Sequence, residues 1–250
     1  MAWKPTDISG CQLWLDAAQI AGLSDGASVA TWSDASGNGN NAMQSAEANK
    51  PLYKTNVLNG KPVLRFDGTD DYLSCGDVLD LGNNSMTLFV VWKTNTLSAT
   101  QGVVGKSYYG DKSGRYGVCL DLTLPGMLFM AQLKGTPAVS TRDWCYYSFS
   151  NSSYLTSCQK IDNTAYANTG YENGVQKCSA SIGSAYGGAD TTDSYLVGCY
   201  QGPRQFLNGD IAEIIQYNSA LSDSNRLLVE AYLAEKWFGV SSGTRRRCVI

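Results

Sequence analysis

The stretch Met86-Thr87-Leu88-Phe89-Val90-Val91-Trp92-Lys93 decides the fold class. It reads as a β segment, and its apolar centre, Leu88 to Trp92, is far shorter than the roughly 18 residues of a membrane span. Similar short segments continue in both directions. Upstream lie Gln12–Asp16, Val29–Ser33, Pro62–Phe66 and Tyr72–Cys75. Downstream lie Gly102–Lys106, Tyr116–Asp121, Met127–Leu133, Trp144–Phe149, Tyr154–Lys160, Val175–Ser179, Ser194–Cys199 and Ile211–Tyr217. Clusters of Gly, Asn, Asp and Ser separate them, and three Asn-Gly pairs (Asn59-Gly60, Asn173-Gly174, Asn208-Gly209) predict hairpin turns, because Asn-Gly readily takes the positive φ of a type I′ turn.

Short strands at a spacing of roughly 8–12 residues predict an all-β, two-sheet antiparallel sandwich of the jelly-roll kind rather than βαβ units. No repeat or Pro-rich linker divides the chain, so residues 1–240 are expected to form one domain, and residues 241–250 a flexible basic tail carrying Arg245, Arg246 and Arg247. One helix is predicted, Asp223 to Phe238, packed on the sandwich. Ser222 suits its N-cap, Asp223 its positive end, and Gly239 its C-terminal stop. Leu227, Ala231, Ala234 and Phe238 form the expected buried stripe.

Composition removes several kinds of function. The chain has no histidine, which excludes Ser-His-Asp and Cys-His catalysis, imidazole metal ligands and an imidazole pH switch. Nineteen basic against 22 acidic residues give a net charge of -3, without the basic stripe of a nucleic-acid binder. The opening residues carry no apolar signal segment, so no Sec-type export address is expected. The eight cysteines (Cys11, Cys75, Cys119, Cys145, Cys158, Cys178, Cys199, Cys248) contain no C-x-x-C pair, which leaves no zinc knuckle. Buried free thiols are the favoured reading, with disulfides left open.

Six segments in order resemble the concanavalin A-like superfamily, in its laminin-G-like form. They are Leu13-Trp14-Leu15-Asp16-Ala17; Trp32-Ser33-Asp34-Ala35-Ser36-Gly37-Asn38-Gly39-Asn40; Phe66-Asp67-Gly68 with Asp70-Asp71-Tyr72; Met86–Trp92; Tyr171-Glu172-Asn173-Gly174-Val175; and Gly209–Asn218 with Leu221-Ser222-Asp223. The resemblance implies a β-sandwich that works outside cells or on particle surfaces, most often by binding glycans.

Its hydrolase members imply a strand reading E-x-D-x-x-E, which this sequence lacks. Asp210 and Glu213 come nearest, but three-residue spacing predicts opposite faces of a strand, so no catalysis is expected. Asp34, Asn38 and Asn40 in one loop, with Asp67, Asp70 and Asp71 in a second, offer oxygen ligands for one shared calcium, though such residues also build turns. Tyr108, Tyr109, Tyr186 and Tyr200 lie in or beside loop-like stretches and are the candidate sugar contacts. Trp14, Trp92 and Trp237 are expected in the core. A domain of extracellular type without an export address suits a virion surface. The expected role is therefore a non-catalytic structural or attachment protein binding neighbouring virion proteins or host-surface glycans, with a free-standing lectin and a glycoside hydrolase of unrecognised carboxylates as the alternatives.

Overall fold

A computed structural model describes residues 3–82, 84–106, 115–121, 126–132, 145–150, 152–181, 192–200 and 203–240. Its strands are β1 (Cys11–Asp16), β2 (Thr31–Trp32), β3 (Ala42–Met43), β4 (Leu52–Leu58), β5 (Lys61–Asp67), β6 (Leu73–Gly76), β7 (Met86–Thr94) and β8 (Gln101–Lys106), then β9 (Arg115–Asp121), β10 (Gly126–Gln132), β11 (Cys145–Ser148), β12 (Leu155–Asp162), β13 (Ala167–Glu172), β14 (Val175–Ser181), β15 (Tyr195–Val197) and β16 (Asn208–Tyr217). One helix, α1, spans Asp223–Phe238.

The strands form two antiparallel sheets. The first runs β14-β13-β12-β7-β16-β5-β4, with β1 pairing β16 as well, and the second runs β11-β10-β9-β8-β15-β6-β3-β2. Strands β5 and β1 share one edge of β16, taking Asn208–Ile211 and Glu213–Tyr217 in turn, while β7 follows the other edge. The protein is an all-β sandwich carrying a C-terminal helix.

Strand β7 shows why the layers form. Leu88, Val90 and Trp92 enter the core between the sheets, alongside Leu13, Leu64, Phe66, Trp32, Val103, Tyr116 and Tyr195. Phe89 and Val91 face the other way, into a second core where Val229, Leu233 and Trp237 of α1 meet Trp14, Ala212, Ile215 and Tyr217. A strand covered on both faces reads as a continuous apolar run, not an alternating one.

Asn59-Gly60 (φ 49° and 71°) and Asn173-Gly174 (φ 50° and 82°) make the expected hairpin turns. Asn208-Gly209 does not: it opens β16, where a Cβ on Gly209 would lie 2.1 Å from the Lys93 carbonyl oxygen. Here glycine serves a close strand approach rather than a turn.

The helix begins and ends as predicted, with Ser222 Oγ accepting from the Asn225 amide and Gly239 at φ 66°. Its buried stripe differs. Arg226, Val229, Glu230, Leu233, Ala234 and Trp237 face the sheet, whereas Leu227 is 48% exposed. Arg226 and Glu230 neutralise each other at 2.7 Å, and the guanidinium lies 4.1 Å over the Tyr171 ring. A paired polar couple therefore occupies two core-facing positions, and counting apolar residues alone rotates the stripe away from its true bearing.

Cys145 and Cys178 are joined in a disulfide, which corrects the free-thiol expectation for this pair. It ties β11 to β14, the end strands of the two sheets, at a Cα–Cα distance of 5.5 Å. Beside it, Tyr147 Oη donates to Glu172 Oε2 across the same edge at 2.5 Å. Cys11, Cys75, Cys158 and Cys199 keep free thiols, and Cys119 is in no disulfide. Burial pushes the Cys158 and Cys199 thiols well up, so neither offers a thiolate near neutral pH.

Candidate functional site

Strand β1 ends at Asp16, which caps the 3-10 turn Ala17–Gln19: its Oδ1 accepts from the Ala18 amide at 2.9 Å. Its Oδ2 accepts from Gln19 Nε2 at 2.9 Å and pairs with Lys236 Nζ of α1 at 2.6 Å. Facing this turn, β2 runs on through Ser33, Asp34 and Ala35. That wall is fastened to β1, because the Trp14 amide donates to Asp34 Oδ1 (2.9 Å) and the Ala35 amide to the Trp14 carbonyl (2.8 Å). The two walls enclose a cleft of about 420 Å³ whose lining includes Asp16, Gln19, Ile20, Thr31, Trp32 and Asp34.

Trp32 is fully buried, and among the described residues its Nε1, sealed from solvent, has no hydrogen-bond partner. Carboxylate, amide and hydroxyl groups converge on the concavity, the usual make-up of a small-ligand site.

The predicted calcium loop has a different occupation. Asp34 Oδ1 also accepts from the Ser36 amide, and Oδ2 from Ser36 Oγ and the Asn40 amide. The Asn38 and Asn40 side-chain amides donate to the Cys11 and Gln12 carbonyls. These side chains fold the loop onto β1. In the second loop, Asp67, Asp70 and Asp71 place carboxylate oxygens within 4.8 Å of one another, and Asp34 is not among them. Asp71 Oδ2 accepts from the Asp67 amide, and burial, helped by the Asp67 charge, pushes the Asp71 carboxyl up to about 7.

Of the predicted sugar contacts, Tyr200 is 8% exposed, its amide bonded to the Arg204 carbonyl. Tyr108, Tyr109 and Tyr186 lie outside the described residues. Trp14, Trp92 and Trp237 are buried, as expected.

Asp210 and Glu213 occupy the same face of the sheet, contrary to expectation. A bulge between Ile211 and Glu213 resets the alternation, so that Ile211 and Ile214 point into the sandwich while Ala212 and Ile215 point to the helix. Asp210, fully buried, accepts from Arg65 Nε (2.7 Å) and Nη2 (3.0 Å) and from Tyr154 Oη. Glu213 meets four donors: Trp14 Nε1 (2.6 Å) and Tyr232 Oη (2.9 Å) at Oε1, then Lys236 Nζ (2.7 Å) and Trp237 Nε1 at Oε2. Burial pushes the Glu213 carboxyl up, and Lys236 works against that shift. Asp16 stands opposite Glu213 in the ladder, so the Lys236 ammonium bridges both carboxylates.

Sequence reasoning found one wall of the cleft through Asp34 and missed the other. Gln19 and Thr31 carry no motif, and nothing in the sequence marks the Trp32 donor as unpaired.

No family model matches the chain, and no curated protein matches it. Solved structures do. Domain 4 of AbnA, a GH43 extracellular arabinanase from Geobacillus stearothermophilus, in complex with arabinotriose, superimposes with a TM-score of 0.60 at 16% identity, covering 86% of this chain and 96% of that one. The binding domain of Paraclostridial Mosquitocidal Protein 1 gives 0.59 at 14% identity, over 92% of this chain and 53% of its own. Trypanosoma rangeli sialidase in complex with the inhibitor DANA gives 0.54 at 13% identity over 91% of this chain, which spans a third of the sialidase. At these identities the likeness concerns the fold alone, a β-sandwich.

Proposed function

We propose that this protein is a non-catalytic carbohydrate-binding domain that holds its ligand in the cleft between the Ala17–Gln19 turn and β2. The observation that carries this reading is the cleft lined by the polar side chains of Asp16, Gln19, Thr31 and Asp34. The fold, shared with a domain in complex with arabinotriose, supports it. The state of the two carboxylates nearest to a hydrolase pair supports the non-catalytic part. Glu213 is 1% exposed with four donors on its oxygens, and Asp210 is buried with three, which leaves neither disposed to reach a scissile bond.

A glycan array run in calcium and repeated in EDTA tests the reading, followed by titration of Thr31→Trp, which fills the cleft from an exposed position. Selective binding that Thr31→Trp removes is the expected result. A blank array in both conditions, or binding that Thr31→Trp leaves intact, overturns the assignment. The laminin-G-like type and the virion-surface setting belong to the same proposal and draw their support from the sequence motifs. Co-sedimentation of the protein with particles tests the setting.

A further inference from the structure

We infer that the cleft selects neutral, hydroxyl-rich glycans and turns away acidic ones. This rests on the reading that carbohydrate binds there, and it follows from the charges and the open hydrogen-bonding positions along the walls. Two carboxylates, Asp16 and Asp34, line the cleft, and none of the lining residues is a lysine or arginine. Lys236 stands behind Asp16 and is divided between Asp16 at 2.6 Å and Glu213 at 2.7 Å. One ammonium shared by two carboxylates leaves the wall net negative, and Asp34 adds a further charge with no cation paired to it among the described residues. An incoming uronate, sialate or sulfate meets like charge in a partly desolvated space, where Coulomb repulsion is several times stronger than in bulk water.

The hydrogen-bonding positions point the same way. A carboxylate has about four acceptor positions, of which Asp16 uses three, for Ala18, Gln19 and Lys236. A sugar hydroxyl donates to the remaining Asp16 position. An anionic group only accepts, so it cannot fill that position and opposes both carboxylates.

The test is titration with matched pairs: lactose against 3′-sialyllactose, and fully methyl-esterified oligogalacturonate against its free-acid form. Each pair is measured in low salt and in about 0.5 M NaCl, where the Debye length falls below about 5 Å. Binding of a neutral member at least about tenfold tighter than its acidic partner is expected, with the gap closing in high salt. Ser33→Lys, which places a cation on the rim at an exposed position, is expected to close most of that gap. Acidic members binding as well as neutral ones overturn the inference while leaving carbohydrate binding intact. So does a preference that neither salt nor Ser33→Lys changes. Failure of every member to bind overturns the carbohydrate reading, and this inference falls with it.

Discussion

Replacing Glu213 by Gln tests whether that carboxylate is a structural anchor. In the folded protein two oxygens serve four donors: two indole N–H groups, one phenol and one ammonium. Gln fills the same space but keeps one oxygen, which can serve two of the four, and it adds an NH₂ that faces donors rather than acceptors. Lys236 retains Asp16, but the other abandoned donor has no second acceptor among the described residues. That donor and the new NH₂ are two unmet buried groups, which at about 1–3 kcal/mol each predict a loss of about 4 kcal/mol, a large share of the ~5–15 kcal/mol that holds a typical domain together. Urea unfolding followed by tryptophan fluorescence is the assay, since Trp14 and Trp237 touch the substituted group. The midpoint should fall with the slope unchanged. A variant within about 1 kcal/mol of the parent would refute the reasoning. So would a stable variant that had lost polysaccharide cleavage present in the parent, because Glu213 would then be catalytic.

Removing the Cys145–Cys178 bridge as a double Ser variant opens a crosslink spanning 33 residues, and chain entropy predicts a loss of about 3–4 kcal/mol. Reductant should lower the melting temperature of the parent and leave the double variant unchanged. The Asp71 carboxyl is raised to about 7 by burial and by Asp67, so its contribution is full below the unfolded value near 4 and lost as pH rises through about 7. Asp71→Asn should therefore flatten the rise in stability between pH 8 and pH 5, and an unaltered pH profile counts against it. Calcium at Asp67, Asp70 and Asp71, half of the shared ligand set expected from the sequence, is checked by melting at pH 8 in millimolar calcium and in EDTA. The expected rise in melting temperature should shrink at pH 6, where Asp71 holds a proton, and no rise at either pH removes the site.

What the sequence disclosed is what local chemistry controls. The β7 run, the two true Asn-Gly turns and the caps at Ser222 and Gly239 depend on residues within a few positions of one another. What it withheld depends on partners distant in the chain. Strand β4 buries only Tyr53 and gives no alternating pattern, so Leu52–Leu58 carries no strand signal in the sequence. Asn208-Gly209 has the composition of a turn, yet the approach of the Lys93 carbonyl makes it a strand start. The disulfide joins residues on different sheets, and spacing carries no trace of that pairing. The cleft needs the Ala17–Gln19 turn and β2 side by side, and a composition of Gln, Thr, Ser and Asp does not announce a binding wall.

The bulge in β16 connects these failures to the chemistry. Period-two counting assumes a regular strand, and on that assumption Glu213 points into the sandwich. The extra residue turns it outward, where four donors from β1 and α1 converge on it. Once Glu213 is there, Lys236 is drawn inward from the last turn of α1 and reaches Asp16, whose carboxylate lines the cleft. The same ammonium therefore seats the helix and sets the charge of the proposed ligand wall. A bulge that looks like a defect in the ladder is the reason the helix position and the cleft electrostatics are coupled, so substitutions on the last turn of α1 reach the cleft through charge without touching its lining.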